Sequence, residues 1–342
     1  MIDTVKKSRI VYIDIMRGLA ILFMFIQHAV ILHEYTGGEG ENIIANLALL
    51  VGTAPAAPVF LFIMGVFIAA SRSERKKMYI RGSILFIAGY ILNFFRFSLP
   101  LFIATFFGYE YALGENPLTL FFTVDILQLA GLAMIITAFL KPYLSKTTVI
   151  LLIIVSISVI SPMLWKSFGT VSMTAPLWGI GDSVFFPLFP WLIYPLMGAL
   201  LSPYMIDGMK DKKIRNSFLI SSLVLIVMGI VFYDLFPVGD YFRSGASIHM
   251  LMTAFILFWC VCIYRIMESL SEDGLVTSLL VDWSKNVTAL YCIQWILFGW
   301  SIFIFGEQSM SVYGALIIGF IILVISHIMI QYTGVKKLFS YL

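Results

Sequence analysis

Ten stretches of roughly 20 mostly apolar residues follow one another through this chain, and that is the length a helix needs to cross a hydrocarbon core. They lie near 10–33, 43–71, 78–98, 118–140, 147–165, 184–204, 216–236, 246–268, 283–304 and 310–331. With 61% hydrophobic and 12% charged residues, too little polar surface remains to coat a water-soluble fold. The expected fold is an all-α polytopic membrane protein, with about ten transmembrane helices around a central cavity. One domain spanning 1–342 is expected. The first run reads as a permanent span and not a cleaved signal peptide: it is too long, it carries polar groups, and no small-residue cleavage site follows.

Lysine and arginine orient the spans. Lys6, Lys7 and Arg9 precede the first, and Arg72, Arg75, Lys76, Lys77 and Arg81 follow the second. Lys141 and Lys146, then Lys210, Lys212, Lys213 and Arg215, then Lys336 and Lys337 mark every other connection. The alternate connections 34–42, 99–117 and 305–309 hold none, and only Lys166 and Arg243 fall on that side. This alternation fits ten spans in the cell membrane with both termini in the cytoplasm. The net charge of +3 is thus a topology signal, and no nucleic-acid partner is expected. Cys260, Cys262 and Cys292 lie inside spans, give no disulfide framework, and form no metal-ligand spacing with histidine or carboxylate, so no metal is expected.

Two spans should be irregular. Pro55 and Pro58 interrupt the second about a third of the way in, and Pro187, Pro190 and Pro195 crowd the start of the sixth. Broken backbone at membrane depth is tolerated only where protein or a water-filled cavity covers it. The apolar stretch 99–108 is too short to span and reads as re-entrant or as lying at the outer interface. No internal repeat is visible, which disfavours inverted-repeat transporter folds.

The first span carries the strongest functional signal. Eleven residues at about 100° each return to within about 20° of the start, so Arg17 and His28 share a stripe, and Asp14 lies about 60° away. A charged side chain at mid-bilayer costs roughly 2.5–3.5 kcal/mol even on the lenient insertion scale, so this face needs a cavity or a helix partner. Asp125, in the inward-running fourth span, falls at a depth similar to His28. A carboxylate beside an imidazole fixes its tautomer and raises its basicity, the arrangement of a general base with its orienter. Asp14 and Arg17 can also simply pair with each other. His249 near the outer end of span eight is a second acid/base candidate. Lys285 and Asn286 open span nine as either a solvated helix end or an anion-binding corner. His33 reads as a solvated rim residue, His327 as interfacial, and Arg96 as able to snorkel from the end of span three.

These residues carry a resemblance. Arg17, ten residues and His28, within Asp-Ile-Met-Arg-Gly-Leu-Ala-Ile, resemble the first-helix motif of the membrane acyltransferase-3 family. Four later segments are similar to the related family named for the heparan-alpha-glucosaminide N-acetyltransferase catalytic domain. They are Phe60-Leu-Phe-Ile-Met-Gly65, Asp125-Ile-Leu-Gln128, Phe186-Pro-Leu-Phe-Pro-Trp191 with Gly198, and Lys285-Asn-Val-Thr-Ala-Leu-Tyr291. The resemblance implies a transmembrane acyltransferase that moves an acyl group from acyl-CoA to a carbohydrate, with His28 catalytic and Arg17 its essential partner. One departure stands out. The heparan branch typically has Asn where His28 stands and its working histidine further on, where this chain has Gly37-Gly-Glu-Gly-Glu41.

The combined reading is an acyl-CoA-dependent O- or N-acyltransferase of the lipid bilayer, acetyl-CoA being its co-substrate, with no tightly bound cofactor. His28 is the expected base, Asp125 its orienter, and Arg17 with Asp14 the donor-positioning pair. Arg81 and Lys285 with Asn286 would meet the CoA phosphates, and His249 would line the substrate site. The acceptor is a carbohydrate or amino sugar, and a homodimer stays open. Arg17 and His28 are about 16 Å apart along the helix, comparable to an extended pantetheine arm. Direct transfer and a covalent acyl-histidine both fit. So does a different class of protein: a proton-coupled small-molecule transporter using Asp14, Arg17, His28 and Asp125 as a relay.

Overall fold

The computed structural model describes residues 10–35, 42–108, 116–236, 239–269 and 274–339. Its first half runs through α1 (Val11–His33), α2 (Ile43–Thr53), α3 (Ala57–Ala70), α4 (Arg75–Asn93), α5 (Leu99–Phe106), α6 (Pro117–Phe121), α7 (Ile126–Leu140) and α8 (Thr147–Phe168). The second half adds α9 (Ala175–Trp178), α10 (Leu188–Trp191), α11 (Ile193–Ile206), α12 (Lys212–Val231) and α13 (Ala246–Ser269). It ends with α14 (Leu275–Lys285), α15 (Val287–Phe305), α16 (Val312–Gln331) and α17 (Thr333–Phe339). Ten segments among the described residues are long and apolar enough to cross a membrane. Extended pairing there is limited to two isolated bridges, Glu34 with Met310 and Val124 with Val184. The chain is an all-α polytopic membrane protein. The basic N-terminus through Arg9 and residues 37–41 lie outside the described residues.

Three spans are broken, and each break has a local cause. Span two parts into α2 and α3 across Ala54–Ala56, where Pro55 cannot donate to a helical ladder. Pro58 then sits in the first turn of α3, where no N–H is needed. Span six divides into α10 and α11 among its prolines. Span four, expected to be continuous from 118 to 140, is not. It stops after α6 and restarts at Ile126, with Asp125 as the N-cap of α7 in a reciprocal capping box with Gln128. The bridge from Val124 to Val184 holds the gap between the two pieces.

Span three departs from expectation in the other direction. Residues 99–106 do not turn back as a re-entrant segment would; they continue α4 through a π-turn at Phe94–Ser98 into α5. Pro100 explains the turn. It has no N–H to give, so the ladder widens, and the Leu99 N–H reaches back to the Phe94 carbonyl. The Phe95 carbonyl, left without a backbone donor, accepts from the Trp300 indole at 3.2 Å.

Span nine begins at Val287, because residues 275–285 form a separate helix, α14. Lys285 therefore closes α14, while Asn286 is the hinge residue that caps α14 and starts α15. Ser284 of α14 donates to the Asp14 carboxylate at 2.6 Å, clamping the start of α1. Elsewhere the bundle closes through small residues. A Cβ added to Gly65 of α3 would lie 1.9 Å from the Pro195 carbonyl oxygen, and one added to Gly198 of α11 1.9 Å from that of Phe62. The two backbones touch, as membrane helices do when small residues line the crossing. In contrast, α8, α12 and α16 turn most of their apolar surface outward, to where lipid would lie.

Candidate active site

A chamber of about 630 Å³ sits inside the bundle, within the range of small-molecule sites. Its wall is built from α1, the break in span two, the π-turn, the break in span four, α15, and the loops before α10 and α13. The backbone irregularities gather here, as broken membrane helices must. His28, Arg96, Asp125 and Tyr291 line it, with Asp182 and Glu307 also on the wall. Most of the remaining wall is apolar or aromatic, including Ile31, Leu49, Phe60, Phe97 and Trp295.

One side of the chamber presents His28. Its ring lies 4.3 Å from the Trp295 ring, tilted by 45°, and its Nδ1 is 2.8 Å from the Gln294 amide nitrogen. The same amide reaches the Met24 carbonyl at 3.4 Å, while its own oxygen is buried with no partner. Nε2 is the ring nitrogen left for the chamber.

The other side is a buried ionic network. The Arg96 side chain leaves the π-turn pointing inward, and the residue is fully buried where the sequence suggested snorkelling. Its guanidinium stands 2.6 Å from Asp125 Oδ2 and donates to Asn93 Oδ1 at 2.8 Å. It lies 4.4 Å from the ring centres of both Phe97 and Trp295. Asn93 donates to the Phe121 and Thr123 carbonyls, and Gln128 also donates to Thr123, so the loose end of span four is stitched to span three. Asp125 accepts from its own helix at the Ile126 N–H (2.7 Å) and from the Tyr291 hydroxyl (2.9 Å). The hydrogen bond that holds the His28 ring comes from Gln294 and not from Asp125, whose partners are Arg96, Tyr291 and its own helix.

The other expected site residues stand apart. Arg17 lies one turn beyond Ala20, which lines the chamber floor, and covers the Phe67 ring at 5.6 Å. Asp14 is a turn further, with Ser284. Arg81 and Lys285 are exposed, and Asn286 donates to the Asp282 carbonyl at 2.9 Å. His249 is buried off the chamber wall: Tyr194 donates to Nδ1 at 2.8 Å and Nε2 donates to the Ser244 carbonyl at 3.1 Å. His33, expected to be solvated, is buried against Ser301 at 2.9 Å. Its ring is drawn in where α1 meets α15, and the adjoining backbone is tied to the 308–310 loop. His327 accepts from the Trp283 indole at 3.2 Å. At the chamber wall outside the spans, burial pushes the Glu307 carboxyl up from the usual carboxylate range.

Sequence reasoning missed Gln294, Tyr291 and Trp295, which come from one face of α15, and it placed Arg96 wrongly. Two signals were present: Pro100, which forces the π-turn, and Tyr291, the last residue of the Lys285–Tyr291 segment.

The profile of the family described as "Heparan-alpha-glucosaminide N-acetyltransferase, catalytic" matches residues 9–235, about two thirds of the chain. The chain belongs to this family. A heparan-alpha-glucosaminide N-acetyltransferase family member is a membrane transferase, and the matched region contributes α1, the π-turn, Asp125 and the broken spans to the chamber. The α15 side, with Gln294, Tyr291 and Trp295, lies beyond the match. No curated protein matches the chain.

Proposed function

We propose that the protein transfers an acyl group, most simply acetyl, from acyl-CoA to a hydroxyl or amine of a carbohydrate acceptor, with His28 as general base. The supporting observation is the state of His28: one ring nitrogen held by Gln294, the other left for a chamber that also holds a buried Arg96–Asp125 pair. The name of the family supports an acetyl donor and an amino-sugar acceptor.

Gln294 decides which nitrogen carries the proton. With its amide oxygen toward Nδ1, the ring donates there and Nε2 is free to accept the acceptor's proton. With its NH₂ group toward Nδ1, Nε2 carries the proton and can only donate. In the observed orientation the NH₂ group faces both Nδ1 and the Met24 carbonyl, so the base form requires the amide to turn, giving up the Met24 contact while its unpartnered oxygen accepts from Nδ1–H. Asp125 holds the cationic wall, and its charge favours the imidazolium that forms as His28 takes the proton.

CoA would approach from the end of the bundle bearing Arg17, taken as cytoplasmic, with exposed Arg81 and Lys285, and Asn286 beside it, near its phosphates. Arg17 and Asp14 would position the pantetheine arm below the chamber floor. His249 belongs to the supporting structure in this account. Broken helices around a chamber also suit a transporter, but Asp14 is engaged beyond the floor, so the relay that reading needs is split.

The test is direct. Purified protein is mixed with labelled acetyl-CoA and a panel of amino and neutral sugars. Label on one acceptor with matching release of free CoA is expected. CoA that neither binds nor is consumed would remove the reading.

A further inference from the structure

We propose that Arg96 is a catalytic residue that donates, through its free Nε–H, to the thioester carbonyl oxygen as that oxygen gains negative charge. This rests on the acyl-transfer reading and adds the group that stabilises its transition state.

The first observation is an unused donor. Arg96 is fully buried, and a guanidinium stays charged and carries five N–H groups. Asn93 and Asp125 engage its terminal nitrogens, but Nε–H has no partner among the described residues. A buried donor left unsatisfied costs about 1–3 kcal/mol, so a substrate oxygen that meets it is favoured.

The second is rigidity. The guanidinium is held between the Phe97 and Trp295 rings, fixed at one end by Asn93 and at the other by Asp125. Its backbone is equally constrained: a Cβ on Gly299 would lie 1.8 Å from the Arg96 carbonyl oxygen, so α15 presses directly on the π-turn. Asp125 in turn is held by the α7 cap and by Tyr291. A fixed donor in a water-poor site needs no reorganisation when charge develops, which is where electrostatic catalysis gains most.

The third is placement. Arg96 and His28 line one chamber and both pack against one indole, Trp295, at 4.4 and 4.3 Å from its ring centre. In this proposal the thioester carbonyl occupies the chamber with its carbon toward His28 and its oxygen toward Arg96. The step then balances. The acceptor nitrogen or oxygen bonds to the thioester carbon as His28 Nε2 takes its proton. The carbonyl electron pair moves to oxygen, facing Arg96. Collapse restores the carbonyl, breaks the carbon–sulfur bond, and the thiolate takes the proton from His28 and leaves as CoA.

A purely structural Arg96 would only neutralise Asp125, and Arg96→Lys keeps that charge while removing the planar Nε–H. In full-length protein, Arg96→Lys is expected to lose about 10²–10³-fold in kcat, with the Kd for CoA and the unfolding temperature close to wild type. A second variant, Arg96→Gln combined with Asp125→Asn, removes both charges together and covers a folding failure of the first. It is expected to bind CoA and lose kcat to the same degree. Wild-type kcat in either folded variant overturns the role of Arg96 while leaving the acyltransferase reading intact. Absence of transfer in the wild type itself, on every acceptor tried, overturns both.

Discussion

His28 and His249 are two histidines of one membrane bundle, and their surroundings differ in one respect that matters. Around His249 every valence is closed: Tyr194 serves Nδ1, Ser244 accepts from Nε2, and no chamber touches the ring. Around His28 one nitrogen is held and the other is left for a chamber with a buried cation on its wall. Both sit on membrane-length helices, but His249 is buried and His28 only partly so. The difference is an open valence beside space, and that marks the candidate base.

The comparison is broken most easily at the two rings. His28→Ala should reduce transfer by about 10²–10⁴-fold, while CoA binding, which the imidazole does not touch, stays near wild type. His249→Ala should keep turnover within a few-fold but lower stability, since it orphans the Tyr194 hydroxyl and the Ser244 carbonyl at about 1–3 kcal/mol each. Thermal unfolding and a transfer assay on the same samples check both. Turnover intact in His28→Ala and lost in His249→Ala would move the active site to α13.

The neighbours of His28 sharpen the contrast. Gln294→Leu removes the group that sets the tautomer and should cost about 10²-fold in kcat, as expected for a misaligned catalytic group. Gln294→Glu, which accepts from Nδ1–H in either orientation, should retain far more activity than the leucine variant. Equal rates in the two would show that Gln294 only fills space.

Gly299→Ala tests whether the chamber depends on the contact between α15 and the π-turn. The added methyl meets the Arg96 carbonyl, and overpacking of this kind typically costs about 1–3 kcal/mol. Unfolding temperature and transfer rate should fall together. A variant as stable and active as wild type would show that the two helices can separate without harm.

The smallest effect is at the wall outside the spans. Burial raises the Glu307 pKa, so the folded state favours the protonated carboxyl. Its ionisation therefore opposes folding once the pH is above the raised pKa, and the penalty vanishes at acid pH, where both states are protonated. Glu307→Gln should gain about 0.5 kcal/mol or less at neutral to basic pH and nothing at acid pH. A gain confined to acid pH would reverse the sign.

Much of the fold is legible because membrane length is a coarse and demanding signal. Ten apolar runs and the Pro55–Pro58 break can be read directly. The break at Asp125 is harder. Leu118-Thr-Leu-Phe-Phe-Thr-Val124 is apolar enough to look continuous with α7, and hydropathy hides the Asp125…Gln128 capping signature. Likewise α14 merges with α15 in a hydropathy scan, since the break falls at Asn286 alone. In the candidate site, His28 and Asp125 stand out because charge inside a membrane is costly. Gln294, Tyr291 and Trp295 do not, because their value lies in what they face, and helix adjacency is not written in one sequence. Arg96 was misread for the same reason: the π-turn set by Pro100 turns it inward.

The central claim is that His28 supplies a free imidazole to the chamber, and restoring that imidazole tests it most directly. His28→Ala leaves a hole on the chamber wall, and free imidazole can be added to the purified variant with labelled acetyl-CoA and the acceptor. The account predicts little transfer without imidazole and a saturable recovery with it, growing as the pH rises and neutral imidazole accumulates. Wild-type transfer by His28→Ala in the absence of imidazole would contradict it.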